Sequence, residues 1–124
     1  MKLIEIENPF MDVRLCISGI DVDGNAILDT GFSGGINVPL RYRNVIAAGA
    51  KSRGKTIFKV PTNVADGRQP KVLGTKCNAR INNKKINTTL TCMGKKFLIG
   101  REVIKQIMED PFLAIKGEKL EVTI

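Results

Sequence analysis

The chain has 124 residues and a mass of 13.6 kDa, with 43% hydrophobic and 26% charged residues, which is the size and mix of one soluble domain. We therefore expect a single domain over residues 1–124. Twenty Lys and Arg against twelve Asp and Glu give a net charge of +8, and the complete lack of His excludes His-based triads, acid–base pairs and metal sites.

The first third of the chain predicts strands. Apolar residues alternate with charged or small ones over residues 3–6 and 13–17, which is the period of half-buried strands. Residues 20–28 alternate as well, and Asp23, Gly24 and Asn25 in their middle predict a hairpin turn. The second arm of this hairpin would end at Leu28, which places Asp29 where a strand stops.

A glycine-rich loop follows this strand. Residues 29–35 contain three glycines, and a short apolar segment with Pro39 spans residues 36–40. Residues 42–50 predict a short helical turn that Gly49 ends.

The second half of the chain predicts two hairpins, one helix and a terminal strand. The first hairpin has arms at residues 56–60 and 71–74 about a tip at 63–68, and the second joins 79–81 to 86–92 through a turn at 82–84. Residues 97–100 predict a compact apolar strand, 112–115 form an apolar segment, and 120–124 alternate as a strand. A helix ending before Pro111 is indicated by the spacing of four apolar residues, Val103, Ile104, Ile107 and Met108.

The cysteines predict inert thiols. Cys16, Cys77 and Cys92 are odd in number and widely spaced, which suits neither a disulfide framework nor a zinc site. Residues 1–10 include Glu5 and Glu7, so we expect no signal peptide, and no apolar run is long enough to span a membrane. These features predict a cytoplasmic protein without a metal.

The positive charge raises the question of nucleic-acid binding. Lys and Arg neutralise phosphates, but here they are scattered along the chain rather than gathered in one tract. The Phe and Tyr residues form no paired motif for base stacking. We therefore favour solvated surface charge over the alternative of a basic nucleic-acid binder, whose affinity would have to fall steeply with salt.

The loop after residue 28 carries the strongest chemical signal. Asp29, Thr30 and Gly31 follow a hydrophobic strand, so a carboxylate is delivered to a tight turn. Asp and Thr also cap backbone N–H groups in ordinary turns, and this simpler interpretation stays open.

Three segments together resemble the retropepsin-like aspartic proteases, the single-domain relatives of pepsin. The first is Ile27-Leu28-Asp29-Thr30-Gly31 with its Phe-Ser-Gly continuation and Pro39, and the second is the apolar-apolar-Gly segment at residues 97–104 that leads into a helix. Between them, Ala65, Asp66 and Gly67 lie in the hairpin where the family has its flap. The resemblance implies an all-β acid-protease barrel with one short C-terminal helix.

The resemblance also implies an aspartic endopeptidase that needs no cofactor. Such enzymes use two carboxylates that share a proton, and this sequence has a single Asp-Thr-Gly, so a homodimer must supply the second Asp29. Asp29, Thr30 and Gly31 would be catalytic, with Thr30 bonding across the dimer. The substrate, a peptide or protein, would contact the loop and the flap through Ser33, Gly34, Val64, Ala65, Asp66 and Gly67.

Two alternatives stay open at this stage. The chain could be a catalytically inactive, dimeric peptide-binding module of the same fold. The terminal segments at residues 3–6 and 120–124 could interleave between subunits, as is common in the family, or lie as edge strands within one subunit.

Overall fold

In a computed structural model, the described part of the chain contains eight strands and two α-helices. The structure describes residues 10–17, 19–61, 71–81, 83–108 and 119–124. The strands are β1 (Phe10–Ile17), β2 (Ile20–Leu28), β3 (Ile36–Val38), β4 (Ile57–Pro61), β5 (Lys71–Ile81), β6 (Lys84–Cys92), β7 (Leu98–Ile99) and β8 (Lys119–Thr123). The helices are α1 (Arg43–Ser52), preceded by a 3-10 turn (Leu40–Tyr42), and α2 (Arg101–Met108).

The strands close into a barrel. Neighbours follow in the order β5, β6, β3, β7, β2, β1 and β8, and β8 pairs back onto β5, while β4 lies outside this ring on the flank of β5. The predicted all-β barrel is therefore confirmed. Its core is aliphatic, with Leu15, Ile36, Leu90 and Ile99 almost completely buried.

The first hairpin differs from the sequence prediction. β2 is one continuous strand, and Gly24 pairs with Val13 of β1, so Asp23, Gly24 and Asn25 form no turn. The reversal lies between Ile17 and Ile20, which pair with each other. Gly24 is needed because a Cβ there would collide with the ring of Phe97. The predicted end of the strand at Leu28 is confirmed.

The two later hairpins are confirmed. β4 and β5 pair as far as Pro61 and Lys71, and β5 continues into a second pairing with β6 that ends at Ile81 and Lys84. Asn83 has a φ of 69°, the left-handed conformation that suits Asn in a tight turn. The predicted tip at residues 63–68 lies outside the described residues.

The buried face of α2 agrees with its prediction, whereas α1 is longer than predicted. α2 carries Val103, Ile104 and Ile107 on its buried face, as their spacing predicts. α1 runs to Ser52 and does not end at Gly49. Gly49 lies inside the helix. A glycine suits this position because a Cβ there would press against Ile17 of β1.

The terminal strand belongs to the barrel of one subunit. β8 pairs with β1 in parallel and with β5 in antiparallel orientation, so both of its edges are occupied within the chain. The strand therefore lies within one subunit, but as an inner strand of the barrel and not as the edge strand that this interpretation expected. The predicted segments at 3–6 and 112–115 lie outside the described residues, and none of the described helices could cross a membrane.

Candidate functional site

Asp29 follows directly after β2 at one end of the barrel. Its backbone N–H donates to the carbonyl of Ile99 in β7, at 2.9 Å, and its own carbonyl accepts from the N–H of Phe32, at 3.1 Å. The side chain is half-buried, and its Oδ1 accepts a hydrogen bond from the N–H of Gly31, at 2.9 Å. Oδ2 has no hydrogen-bond partner among the described residues. Backbone groups thus hold a carboxylate that still reaches solvent.

The residues beside Asp29 are also accessible. Thr30, Gly31 and Ser33 are exposed, and Gly34 is half-buried. The local hydroxyl-to-backbone bond considered for Thr30 is not found among the described residues. The bond from Gly31 to Asp29, in contrast, is one that an ordinary Asp turn also makes.

The start of α2 is attached to the Asp29 loop by three consecutive N–H groups. Gly100 donates to the carbonyl of Gly35 at 2.6 Å, Arg101 to that of Phe32 at 2.8 Å, and Glu102 to that of Gly34 at 3.3 Å. The first N–H groups of a helix have no partner within it, and here the loop supplies their acceptors. These hydrogen bonds therefore join the two segments that carry the family resemblance in the sequence.

Two glycines permit this close approach. A Cβ on Gly100 would collide with the carbonyl of Gly34, and a Cβ on Gly35 would collide with Thr88 and the backbone of Thr89. Phe32 turns inward and is only 7% exposed, with its ring against both Gly34 and Gly100. The loop is therefore held both by the buried Phe32 ring and by its close contacts with Gly100 and with Thr88 and Thr89.

A second layer of polar contacts supports the crossing, and sequence reasoning gave it no role. The buried hydroxyl of Thr88 in β6 donates to Oε1 of Glu102 at 2.6 Å, which ties α2 to the barrel. Asn37 is 1% exposed and donates through Nδ2 to the carbonyls of Met93 and Lys96, while its Oδ1 accepts from Thr91. The sequence feature that could have identified Asn37 is that it is the one polar residue in the apolar segment 36–40.

The predicted flap is described only in part. Its two arms, β4 and β5, reach Pro61 and Lys71. The predicted substrate-binding residues of its tip, Val64, Ala65, Asp66 and Gly67, lie outside the described residues. Ser33 and Gly34 are thus the predicted substrate contacts whose positions the structure gives.

The three thiols have the character expected of inert cysteines. All are free, with Cys77 and Cys92 buried and Cys16 partly exposed. Burial raises the pKa of each, and that of Cys77 reaches about 12. Within the described ranges, no group of His, Cys, Asp and Glu side chains could hold a metal ion.

Comparisons with known proteins give no relative from which to transfer a function. No protein-family model, no curated protein and no solved structure matches the chain.

Proposed function

We propose that the chain is a homodimeric aspartic endopeptidase whose catalytic groups are the Asp29 carboxylates of two subunits. The observation that carries this proposal is the environment of Asp29. Its carboxylate stands at the end of a barrel strand, fixed by backbone hydrogen bonds and open to solvent through the exposed turn that follows it. A catalytic carboxylate needs this combination of a fixed position and access to substrate and water.

The chemistry follows from pairing two such carboxylates across a two-fold axis. Two carboxyl groups held close together share one proton, because both cannot ionise at that distance. The ionised group takes a proton from water, which attacks the peptide carbonyl, and the protonated group donates its proton to the carbonyl oxygen. Activity should follow a bell-shaped pH profile that belongs to the pair and not to either residue.

The neighbouring residues have distinct roles in this proposal. Thr30, exposed beside the carboxylate, bonds across the dimer axis, and Gly31 orients Asp29 through its N–H and lets the two loops approach. Ser33 and Gly34 border the substrate. The hairpin tip, with Val64, Ala65, Asp66 and Gly67, closes over an extended peptide.

The deciding experiment is the Asp29→Asn variant in a peptide cleavage assay over a range of pH. We expect the purified wild type to cleave and the variant to lose cleavage while its circular dichroism and melting temperature stay the same. Asp21→Asn, which removes an exposed carboxylate at the far end of β2, is the matched control and should retain activity. A wild type that cleaves at no pH would support the inactive binding module instead.

The dimer is tested separately by light scattering across concentration and pH. We expect a species near twice 13.6 kDa under the conditions of cleavage. A protein that remains monomeric while it cleaves peptides would contradict the shared site.

The proposal includes a cytoplasmic location. Its support is the presence of three free thiols, two of them buried, since reducing compartments keep cysteines in this state. Cell fractionation that finds the protein outside the cytoplasm would contradict it.

A further inference from the structure

Helix α2 is attached to β6 by two side-chain hydrogen bonds. The hydroxyl of Thr88 donates to Oε1 of Glu102 at 2.6 Å, and Nζ of Lys84 donates to the carbonyl of Gln106 at 3.0 Å. The first bond is at the start of the helix and the second is near its end. The bond between Thr88 and Glu102 is therefore the one that lies where α2 meets the Asp29 loop.

Glu102 contacts both β6 and the Asp29 loop, each through a different group. Its side chain accepts the bond from Thr88, while its backbone N–H donates to the carbonyl of Gly34 at 3.3 Å. This N–H is one of the three that attach the loop to the start of α2. A single residue thus links the loop to a strand of the barrel.

The backbone of Phe32 connects the start of α2 with Asp29. Its carbonyl accepts from the N–H of Arg101 at 2.8 Å, and its own N–H donates to the carbonyl of Asp29 at 3.1 Å. The carboxylate of Asp29 is oriented in turn by the N–H of Gly31, which donates to Oδ1 at 2.9 Å. A displacement of the first turn of α2 would therefore reach the carboxylate through hydrogen bonds of the loop backbone.

Thr88 also contacts the loop directly. The residue is 3% exposed, and its hydroxyl oxygen lies so close to Gly35 that a Cβ there would collide with it. The carbonyl of Gly35 accepts the bond from the N–H of Gly100 at 2.6 Å. The hydroxyl of Thr88 consequently has the loop on one side and Glu102 on the other.

The negative charge of Glu102 suits this position. A carboxylate in the first turn of a helix is stabilised by the helix dipole. Burial raises the pKa of the Cys77 thiol, and the Glu102 carboxylate raises it further, which places the carboxylate near Cys77, the cross-strand partner of Thr88. A hydrogen bond from a hydroxyl to a carboxylate is shorter and stronger than one between neutral groups, and the distance of 2.6 Å agrees with this.

From these contacts we infer that Glu102, held by Thr88, is a positioning residue for the Asp29 carboxylate. Glu102 fixes the start of α2, and the start of α2 fixes the loop that carries the carboxylate. The expected effect on cleavage rests on the proposed function, whereas the position of the loop can be measured without cleavage. In a pair of carboxylates that share a proton, a small displacement of either one is enough to slow the reaction.

The simpler alternative is that the bond between Thr88 and Glu102 only stabilises the fold. Its loss would then lower the free energy of unfolding, but the molecules that stay folded would have the loop in its original position. Their kcat and their pH profile would be those of wild type. The test must therefore compare variants at a temperature well below melting, with their stability measured by urea denaturation.

Two disruptive variants remove one partner of the bond each. Thr88→Val removes the hydroxyl and keeps the branched shape of the buried side chain. Glu102→Ala removes the acceptor from an exposed residue, so it tests the inference even if the first variant does not fold.

Two further variants serve for comparison. Thr88→Ser is the conservative variant, because it keeps the hydroxyl. Thr75→Val is the matched control, since Thr75 is a buried threonine of β5 whose hydroxyl donates to the carbonyl of Thr56 at 3.1 Å. That acceptor belongs neither to the Asp29 loop nor to α2.

Amide hydrogen exchange followed by NMR measures the loop without cleavage. The reporters are the N–H groups of Gly31, Phe32 and Arg101, each of which is hydrogen-bonded within the loop or to it. Gly31 is the most direct, because its acceptor is the carboxylate itself. Relative to the change in global stability, we expect exchange at least about tenfold faster in the two disruptive variants and within about twofold of wild type in the conservative variant and the control.

Cleavage kinetics measure the effect on the reaction. In the two disruptive variants kcat should fall by about tenfold or more while KM stays within about twofold of wild type, because the substrate contacts are kept. The width of the bell-shaped pH profile should also change, since it depends on how strongly the two carboxylates share their proton. Thr88→Ser should recover most of kcat, and Thr75→Val should leave both kcat and the profile unchanged.

The inference is overturned if exchange at the three reporters is unchanged in the disruptive variants, or if the control changes it equally. Faster exchange with a wild-type kcat and pH profile would also overturn it, in favour of a purely stabilising bond. If the wild type cleaves at no pH, the proposed function fails, but exchange at Gly31 still decides whether Glu102 positions the carboxylate.

Discussion

At the scale of single residues, the absence of a side chain at Gly100 lets the start of α2 approach the loop that carries Asp29. Gly100 donates to Gly35, and its carbonyl accepts the first hydrogen bonds of α2. A Cβ at this position would overlap the carbonyl group of Gly34, which is backbone and cannot turn aside. Gly100→Ala should therefore lower the free energy of unfolding by at least about 2 kcal/mol, as measured by urea denaturation.

Gly94→Ala is the control for this substitution. Gly94 has a φ of +63° but open space around its Cα. The change should cost only about 1 kcal/mol, from the left-handed backbone alone. Equal losses in the two variants would contradict the steric role of Gly100.

The thiol of Cys77 predicts how stability depends on pH in alkaline solution. Burial raises its pKa from an ordinary 9.0 to about 12, so the folded protein keeps a proton that the unfolded chain releases. The associated stability is fully present below pH 9 and is lost as pH rises towards 12. In that interval the free energy of unfolding should fall by about 1.4 kcal/mol per pH unit because of this group.

Cys77→Ala isolates this effect, because every other titrating group is common to both proteins. The variant should be less stable than wild type at neutral pH, since it leaves a small cavity, but the difference should shrink as pH increases above 9. Urea denaturation at several pH values measures both quantities. Parallel pH profiles for the two proteins would show that the thiol does not titrate in this way.

At the scale of elements, the strands could be predicted from alternation, but the glycines within them could not. Gly24 and Gly49 look like a turn and a helix end because glycine is common in both. In the structure each makes room for a residue far along the chain, Phe97 for Gly24 and Ile17 for Gly49. Local sequence does not contain that information, since it depends on which elements become neighbours.

The Gly24 contact can be tested by a double-mutant cycle. Gly24→Ala should destabilise the protein by about 1–3 kcal/mol, because the new Cβ meets the Phe97 ring at 2.6 Å. In a Phe97→Leu background the ring is gone, and the same change should cost about 1 kcal/mol less. Additive effects in urea denaturation would mean that the two residues do not constrain each other.

In the candidate site too, the motif could be predicted from the sequence, but the contacts that support it could not. The motif places Asp29, Thr30 and Gly31 at a strand end, which β2 confirms. The supports of that turn were not foreseen, because Thr88 and Glu102 are fourteen residues apart and meet only after β6 and α2 have packed. Contacts of this kind require the tertiary structure.

At the scale of the whole molecule, the barrel closes through its last strand. β8 inserts between β1 and β5, with Leu120 and Val122 completely buried. Alternation predicts a strand here but not its neighbours, so sequence could not decide between an intersubunit and an intrasubunit position. With β8 inside the barrel, the proposed two-fold contact at the Asp29 loops would have to use surfaces other than this strand.

A dimer in which each subunit supplies one of two required carboxylates makes a quantitative prediction. If equal amounts of wild type and Asp29→Asn exchange subunits freely, about a quarter of the dimers carry two Asp29 residues. At the same total protein concentration, cleavage by the mixture should then be about a quarter of that by wild type alone. If each subunit held a complete site, it would fall only to about half. Mixing with Asp21→Asn in place of Asp29→Asn controls for the exchange procedure and should leave cleavage unchanged.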